Sequence, residues 1–439
     1  MIRVLIFIAI YLLSLGAYSQ KKTNKLIKSE LKETIREIKI LLKEKYVFPE
    51  KVSQMSELLN KNLKRGVYNS FKDPKQLAKK LTKDLQSITN DKHLRVFYSP
   101  VNQRITNEIS AKKRNEIEQK MIAMEQRDNF LFKEVKILDG NIGYIDFRGF
   151  RDPKYASKTV ISALGFLQNT DAIILDLRNN GGGYPQMVQL IASYFIDDEP
   201  VHLNTFYNRV EDKYSQYWTL PYVPGKRLPN VQLYILTSSS TFSAAEEFSY
   251  DLKHLKRAII VGETTGGGAH PGESFQINDK FKVWTPTGRA INPITKTNWE
   301  GVGVIPHIKT TEKKALIEAQ LKALDSLNSI NKDPFRKDYY KWHTETLKAA
   351  KSPVIVPLKT LKKYVGVYDR INIFIENDTL YYQSGNNEKL KLTPINQFAF
   401  QYGELTDVRM IFSIKNGDVE LTTKNVYGRS DTYKKNKNL

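Results

Sequence analysis

Four short apolar runs dominate the middle of the chain: "NIGYIDFRGF" from Asn141, "DAIILDLR" from Asp171, "VQLYILTS" from Val231 and "RAIIVGE" from Arg257. Each breaks off at Gly, Asn or Ser. Short apolar runs bounded by such residues read as buried strands. Between them lie "PKYASKTVISALGFLQ", "YPQMVQLIASYFI" and "SAAEEFSYDLKHL", which read as helices. Strand and helix alternate, so the chain carries an α/β region with largely parallel pairing, assigned to 131–311. Within it, "SFQINDKFKVWTP" reads as a hairpin turning at Asn278-Asp279.

The flanks follow other patterns. Ile27, Leu31, Ile35, Ile38 and Leu42 form one apolar stripe that Pro49 ends. Two further helical stretches, about 50–66 and 74–88, complete an N-terminal helical bundle over 20–105. A charged segment, 106–130, reads as a helical linker, and 312–356 as a helical connector. From 357 to 439 the pattern is hairpins, with turns at Asn377-Asp378 and Asn416-Gly417. This is an all-β module.

The first residues, "MIRVLIFIAIYLLSLGAYSQKK", have Arg3 before an apolar run and a small-residue site at Ala17-Tyr18-Ser19. This is the pattern of a signal peptide over 1–19, cleaved before Gln20. The expected location is therefore periplasmic or secreted. The chain has no cysteine, so it has no thiol nucleophile, disulfide or cysteine-based zinc site. Its 68 basic and 47 acidic residues give a formal charge of +21. The lysines are spread along the chain without a basic arm or a nucleic-acid motif, so no nucleic acid is expected as a partner. Peripheral contact with anionic envelope surfaces is consistent with the charge.

Three strand ends deliver small or glycine-rich loops, and in a parallel sheet these gather on one edge. After "DAIILDLR" comes "NNGGGYP". It lacks the lysine of a phosphate loop and the G-x-G-x-x-G of a dinucleotide site. Its glycines suit an oxyanion hole, with Gly182 as donor. After "VQLYILTS", Ser243 and Glu246 form an S-x-x-E capping box. Ser243 is then a helix cap, or a nucleophile beside the unpaired amides of a helix start, with Ala244 as an oxyanion donor. After "RAIIVGE" comes "TTGGGAHPG", where Gly267 and His270 are read as substrate-binding.

The motifs "DLRNNGGG", "TFSAAEEF", "GETTGGG" and "EGVGVIP", in this order, resemble the tail-specific or C-terminal-processing serine peptidase family. The resemblance implies a crotonase-like α/β core, Ser243 as nucleophile and no cofactor or metal. It also implies a peptide or protein substrate. Many family members use a lysine base in the loop matching "GETTGGGA", and none stands here. The chain lacks room for the usual PDZ domain. It is more similar to the branch that includes the tricorn core and interphotoreceptor retinoid-binding protein. That branch implies a histidine base supplied from before the core.

Six histidines are available. His254 follows Ser243 by eleven residues on one helix, about 16 Å away and out of reach. His202 and His343 have unremarkable surroundings. His307 stands where the family more often has aspartate. His93, in "DKHLRV", is chosen as base and His270 is second. Glu300, in "NWEGVGV", matches the orienting glutamate, and Asp91 is a weaker alternative. Lys92 occupies the position of the serine that precedes the tricorn-type histidine. The expected protein is an exported serine peptidase. The alternative is a non-catalytic peptide- or lipid-binding protein on the same fold.

Overall fold

A computed structural model describes residues 28–100 and 111–436, the side chains of 111–114 excepted. The expected leader, 1–19, and residues 101–110 lie outside the described residues. The chain divides into two compact units, the smaller comprising residues up to 89 with 94–102 and 274–285.

The smaller unit holds helices α1 (Lys28–Lys45), α2 (Val52–Lys64) and α3 (Pro74–Thr89). The stripe on α1 is its buried face: Leu31, Ile35, Ile38 and Leu42 are all buried. Pro49 opens a short 3-10 turn, where a missing N–H costs nothing. Asp84 of α3 ties the helices together, accepting from Tyr68 Oη at 2.8 Å and Asn62 Nδ2 at 3.0 Å. Strand β1 (Arg95–Tyr98) pairs antiparallel with β10 (Phe281–Pro286), and β9 (Gly272–Gln276) completes a three-stranded sheet. The expected hairpin at 274–286 thus forms.

The larger unit begins with the charged helix α4 (Ala111–Arg127). Its main sheet contains β2 (Phe132–Leu138), β3 (Ile142–Phe147), β4 (Ala172–Asp176), β7 (Gln232–Thr237), β8 (Ile259–Gly262) and β12 (Ile308–Lys309). The order is β12-β8-β7-β4-β3-β2, with β2 as an antiparallel edge and all other pairs parallel. The four apolar runs are β3, β4, β7 and β8. A small antiparallel sheet sits beside it: β11 (Gly288–Ile291), β5 (His202–Asn208) and β6 (Lys213–Trp218).

Side chains alternate across the main sheet with period two. Ile173, Leu175 and Ile235 face α5 (Pro153–Phe166), α6 (Pro185–Tyr194) and α7 (Ala244–His254), against Val160, Ile191 and Phe248. Ile174, Tyr234 and Leu236 face the other way, onto Ala315, Ala319, Ala323 and Leu324 of α8 (Ala315–Ile330). The segment read from sequence as a connector therefore supplies the second face of the sheet. Small alanines let α8 lie close to the strands. Helix α9 (Pro334–Lys351) follows.

After α10 (Leu358–Tyr364), eight antiparallel strands run from β13 (Gly366–Tyr368) to β20 (Ser430–Lys434) and pair in sequence order. Asn436 N–H donates to Val367 O at 2.9 Å, so the chain end returns to the first strand. Arg409 fastens this module to α9. Its guanidinium lies 3.9 Å from the Trp342 ring centroid, bonds Glu345 at 2.6 Å and is 5% exposed.

The two-sided sheet makes α8 part of the core. Leu324→Ala should cost about 2–5 kcal/mol, as buried leucine truncations do. Chemical denaturation measures this, and a loss under ~1 kcal/mol would show that α8 is dispensable.

Candidate active site

Strands β4, β7 and β8 all end on one edge of the sheet, and their loops meet there. Between β7 and α7 the chain turns sharply through Ser238–Phe242. Ser238 Oγ donates to Arg178 O at 2.5 Å and Thr241 Oγ1 to Leu177 O at 2.7 Å, so both hydroxyls fasten this turn to the β4 loop. Ser243 then stands at the N-cap of α7 with φ +55° and ψ −123°. A non-glycine residue there is strained by about 1–3 kcal/mol and persists only where its surroundings hold it. A serine on a strained strand-to-helix turn is the geometry of a nucleophile elbow.

Glu246 holds it. This side chain is fully buried. Its Oε2 accepts from Ser243 N at 2.9 Å and Gly268 N at 2.8 Å, and its Oε1 from Gly267 N at 2.6 Å and Thr265 Oγ1 at 2.5 Å. Burial pushes the carboxyl above its ordinary range, and these four donors offset only part of that rise. The expected capping glutamate thus also organises the glycine loop after β8. Gly267 is committed to this scaffold through its N–H.

The glycines of the β4 loop pack against the same turn. A Cβ on Gly182, at φ +96°, would lie 2.7 Å from Phe242 O and 2.8 Å from Ala244 N. Only glycine allows that approach. The Gly182 N–H donates to Asn180 Oδ1 at 2.9 Å, so in this conformation it is occupied. Asn180 is buried, and its Nδ2 donates to Phe147 O at 2.9 Å. Ala244 is the first helical residue of α7, where the N–H has no partner within the helix.

His93 and His270 both reach this edge. The His93 ring lies on Phe242, the residue before Ser243, with centroids 4.6 Å apart. It also borders Gly268, whose added Cβ would lie 2.8 Å from His93 Cε1. His270 is 4% exposed, and its Nδ1 meets Asp91 Oδ2 at 2.8 Å and Glu300 Oε2 at 3.3 Å. The carboxylate pair therefore orients His270. Asp91 also fixes the turn at His93, because its Oδ1 accepts from the His93 backbone N–H at 3.0 Å. Burial, reinforced by the Asp91 charge, pushes Glu300 up to about 7, and His270 opposes that shift. Lys92 Nζ donates to Gly266 O at 2.5 Å, tying the His93 turn to the glycine loop. Asp91, His270 and Glu300 lie close enough to ligate one cation, but Nδ1 facing a carboxylate oxygen at 2.8 Å is equally a plain hydrogen bond.

The other histidines lie elsewhere. His202 stacks on Trp218, and His254 lies against Tyr250 with its ring tilted 52°. His307 brackets β8: its Nδ1 accepts from Ile260 N at 3.0 Å and its N–H donates to Ile260 O at 2.9 Å. That is the structural use of the histidine that replaces the family's aspartate.

Glu247 and Asp251 sit one turn apart inside α7, both buried, and accept from Asn204 at 3.3 Å and Asn292 at 2.9 Å. Burial pushes Glu247 up to about 8, and burial together with the Glu247 charge raises Asp251.

Two tests follow from these carboxyls. In Glu246→Gln an amide nitrogen must face at least one backbone N–H, which should lower stability by about 1–3 kcal/mol. Unchanged denaturation would remove Glu246 from its organising position. The folded chain holds the Glu247 proton from about 4.5 up to about 8, where the unfolded chain releases it. Stability should therefore fall as pH rises through that window. Glu247→Gln should flatten the fall in melting temperature, and an unchanged slope would contradict the assignment.

Comparison with known proteins identifies these loops. Residues 141–310 match the family model for peptidase family S41, and residues 22–136 match the N-terminal domain of peptidase S41 in eukaryotic IRBP. The carboxyl-terminal-processing peptidase 2, chloroplastic, of Arabidopsis thaliana is 30% identical over 168 residues, covering 38% of this chain and 31% of its own. The carboxyl-terminal-processing protease of Picosynechococcus sp. is 31% identical over 140 residues, covering 31% of this chain and 32% of its own. The solved photosystem II D1 C-terminal processing protease covers 66% of this chain and 94% of its own, at 16% identity and a TM-score of 0.42. The chain spans about a third of the length of the two curated relatives. Its glycine loops, its Ser243 turn and its N-terminal helices all fall within the matched segments, so the chain carries peptidase family S41 domains over 22–136 and 141–310.

Proposed function

We propose that the protein is a serine peptidase acting on a peptide or protein substrate through an acyl-enzyme on Ser243. The observation that carries this is the strained Ser243 turn, held by a buried carboxylate against two glycine loops. A serine that merely capped a helix would not need a left-handed backbone. Ser243 Oγ attacks the scissile carbonyl, and His93 takes its proton. The Ala244 N–H stabilises the oxyanion, joined by Gly182 once its N–H leaves Asn180. His93 returns the proton to the leaving amine, and water then hydrolyses the ester.

His93 is preferred as base because its ring borders Phe242, the residue before Ser243, and Gly268 of the loop after β8. Asp91 fixes the His93 turn, while Glu300 and Asp91 hold His270 as part of the wall beside it. His270 is the second reading, since its Nδ1 already has the carboxylate partner a catalytic histidine needs. Gly267 and His270 are both buried, so their contribution to substrate binding is to shape the loop beside Ser243. Among the described residues no helix is long and apolar enough to cross a membrane. The reading of an exported protein rests on the sequence pattern of residues 1–19 alone. The non-catalytic alternative has no observation in its favour.

Ser243→Ala should abolish hydrolysis and fluorophosphonate labelling, a loss on the order of 10³–10⁶ in rate, with the fold intact. Labelling at Ser238, Ser239 or Ser240 would overturn the nucleophile. His93→Ala should remove most activity and the histidine-like acid limb of the pH–rate profile, near about 6.5 for an unperturbed imidazole. His270→Ala should act more mildly. The reverse order would make His270 the base.

A further inference from the structure

A cavity lies far from the Ser243 turn. It opens where β2 turns into β3, where the chain enters β4, and where α9 meets the C-terminal module. Asn141 and Asp171, which line it, immediately precede β3 and β4. Ser243 follows the far end of β7, which runs parallel to both. At about 3.3 Å per residue, the strands alone put roughly 15 Å between the two regions.

The cavity holds about 480 Å³, within the range of small-molecule sites. Its wall carries the aromatic rings of Tyr339 and Tyr427, 6.4 Å apart and 26° from parallel. His343 joins them, its ring edge-on to Tyr339 at 4.7 Å. His343 is 4% exposed, yet neither ring nitrogen has a hydrogen-bond partner among the described residues. Buried polar groups without partners are rare in native structures and need a reason.

Charge distinguishes the lining further. Asp139, Asp171 and Asp407 face it, against one guanidinium, Arg336, which lies 3.6 Å from Asp171. In a chain of net charge +21 this is an acidic hollow. Burial pushes His343 below its ordinary range, so it stands as a neutral imidazole with a nitrogen lone pair to offer. Carboxylates, phenol faces and a neutral imidazole together suit a cation with apolar substituents. An anion would meet two uncompensated carboxylates.

We infer that this cavity is a binding site for an organic ammonium group, primary or quaternary, held against the Tyr339–Tyr427 ring pair and by Asp139, Asp407 and His343. It is independent of the peptidase reading, because no residue of the Ser243 region lines it.

The test uses the full chain carrying Ser243→Ala, so that hydrolysis does not intervene. Tetramethylammonium, n-butylammonium and n-butylguanidinium are titrated by calorimetry and by ligand-observed NMR, with acetate as the anion control. Saturable binding of an ammonium probe is expected, and the two ammonium arms separate quaternary from primary recognition. Tyr427 and Asp407 are exposed at the rim, so their variants should fold. Tyr427→Ala and Asp407→Asn should each weaken binding about tenfold. The inference is overturned if no ammonium probe saturates, if acetate or the guanidinium binds as well, or if both variants leave the affinity unchanged.

Discussion

A single buried carboxylate, Glu246, sets the geometry on which the candidate site depends. It accepts from the Ser243 N–H and from two amides and a hydroxyl of the loop after β8. Two segments that leave different strands are thereby clamped to one group. The clamp explains how Ser243 keeps a positive φ. The strain is offset by charge-assisted bonds formed in a site from which water is excluded. It also explains why the loop after β8 needs consecutive glycines. Gly267 takes φ +79°, and a side chain on Gly268 would run into Phe242 and His93.

From that clamp the contacts run on around the edge of the sheet. Gly301 N–H donates to Gly267 O at 3.1 Å, which seats the Glu300 turn on the glycine loop. Glu300 and Asp91 converge on His270, and Asp91 reaches back to the His93 turn. Phe242 then carries the contact from His93 to the adjoining Ser243. Positioning is shared among backbone amides, two glycine loops and three carboxyls. Such support fixes Ser243 and its neighbours within narrow positional tolerances.

Much of this was legible because it is local. The four apolar runs, the S-x-x-E spacing at Ser243 and the glycine loops each declare themselves within a few residues. Family resemblance added which serine and which histidine to weigh. What could not be read is what long-range packing decides. Asp91 meets His270 across 179 residues, and nothing in "NDKHLRV" points to it. Helix α8 has the composition of any amphipathic connector, and only the alternation of Ile174, Tyr234 and Leu236 shows that the sheet has a second face to cover. Gly182 matched an oxyanion donor by position, but the side chain two residues earlier takes its N–H. His343 looked unremarkable because a buried, unpartnered imidazole has no signature in sequence.

The two regions of interest sit at opposite ends of one parallel sheet, and the difference between those ends has a physical origin. At the carboxyl ends of β4, β7 and β8 the chain must turn into helices or long loops. It does so through glycine and small polar residues that leave amides and hydroxyls near the surface. At the amino ends of β3 and β4 the chain arrives through short turns. Helix α9 and the β module close over these, fastened by Arg409 on Trp342 and Glu345. The first end gathers backbone amides around small residues, which is the setting of the Ser243 turn. The second favours aromatic and acidic side chains between packed layers and suits binding. Without the module, the rings of Tyr339 and His343 would lose Tyr427 and Asp407 opposite them. The β module thus has a role in forming a wall of the cavity as well as in capping the fold.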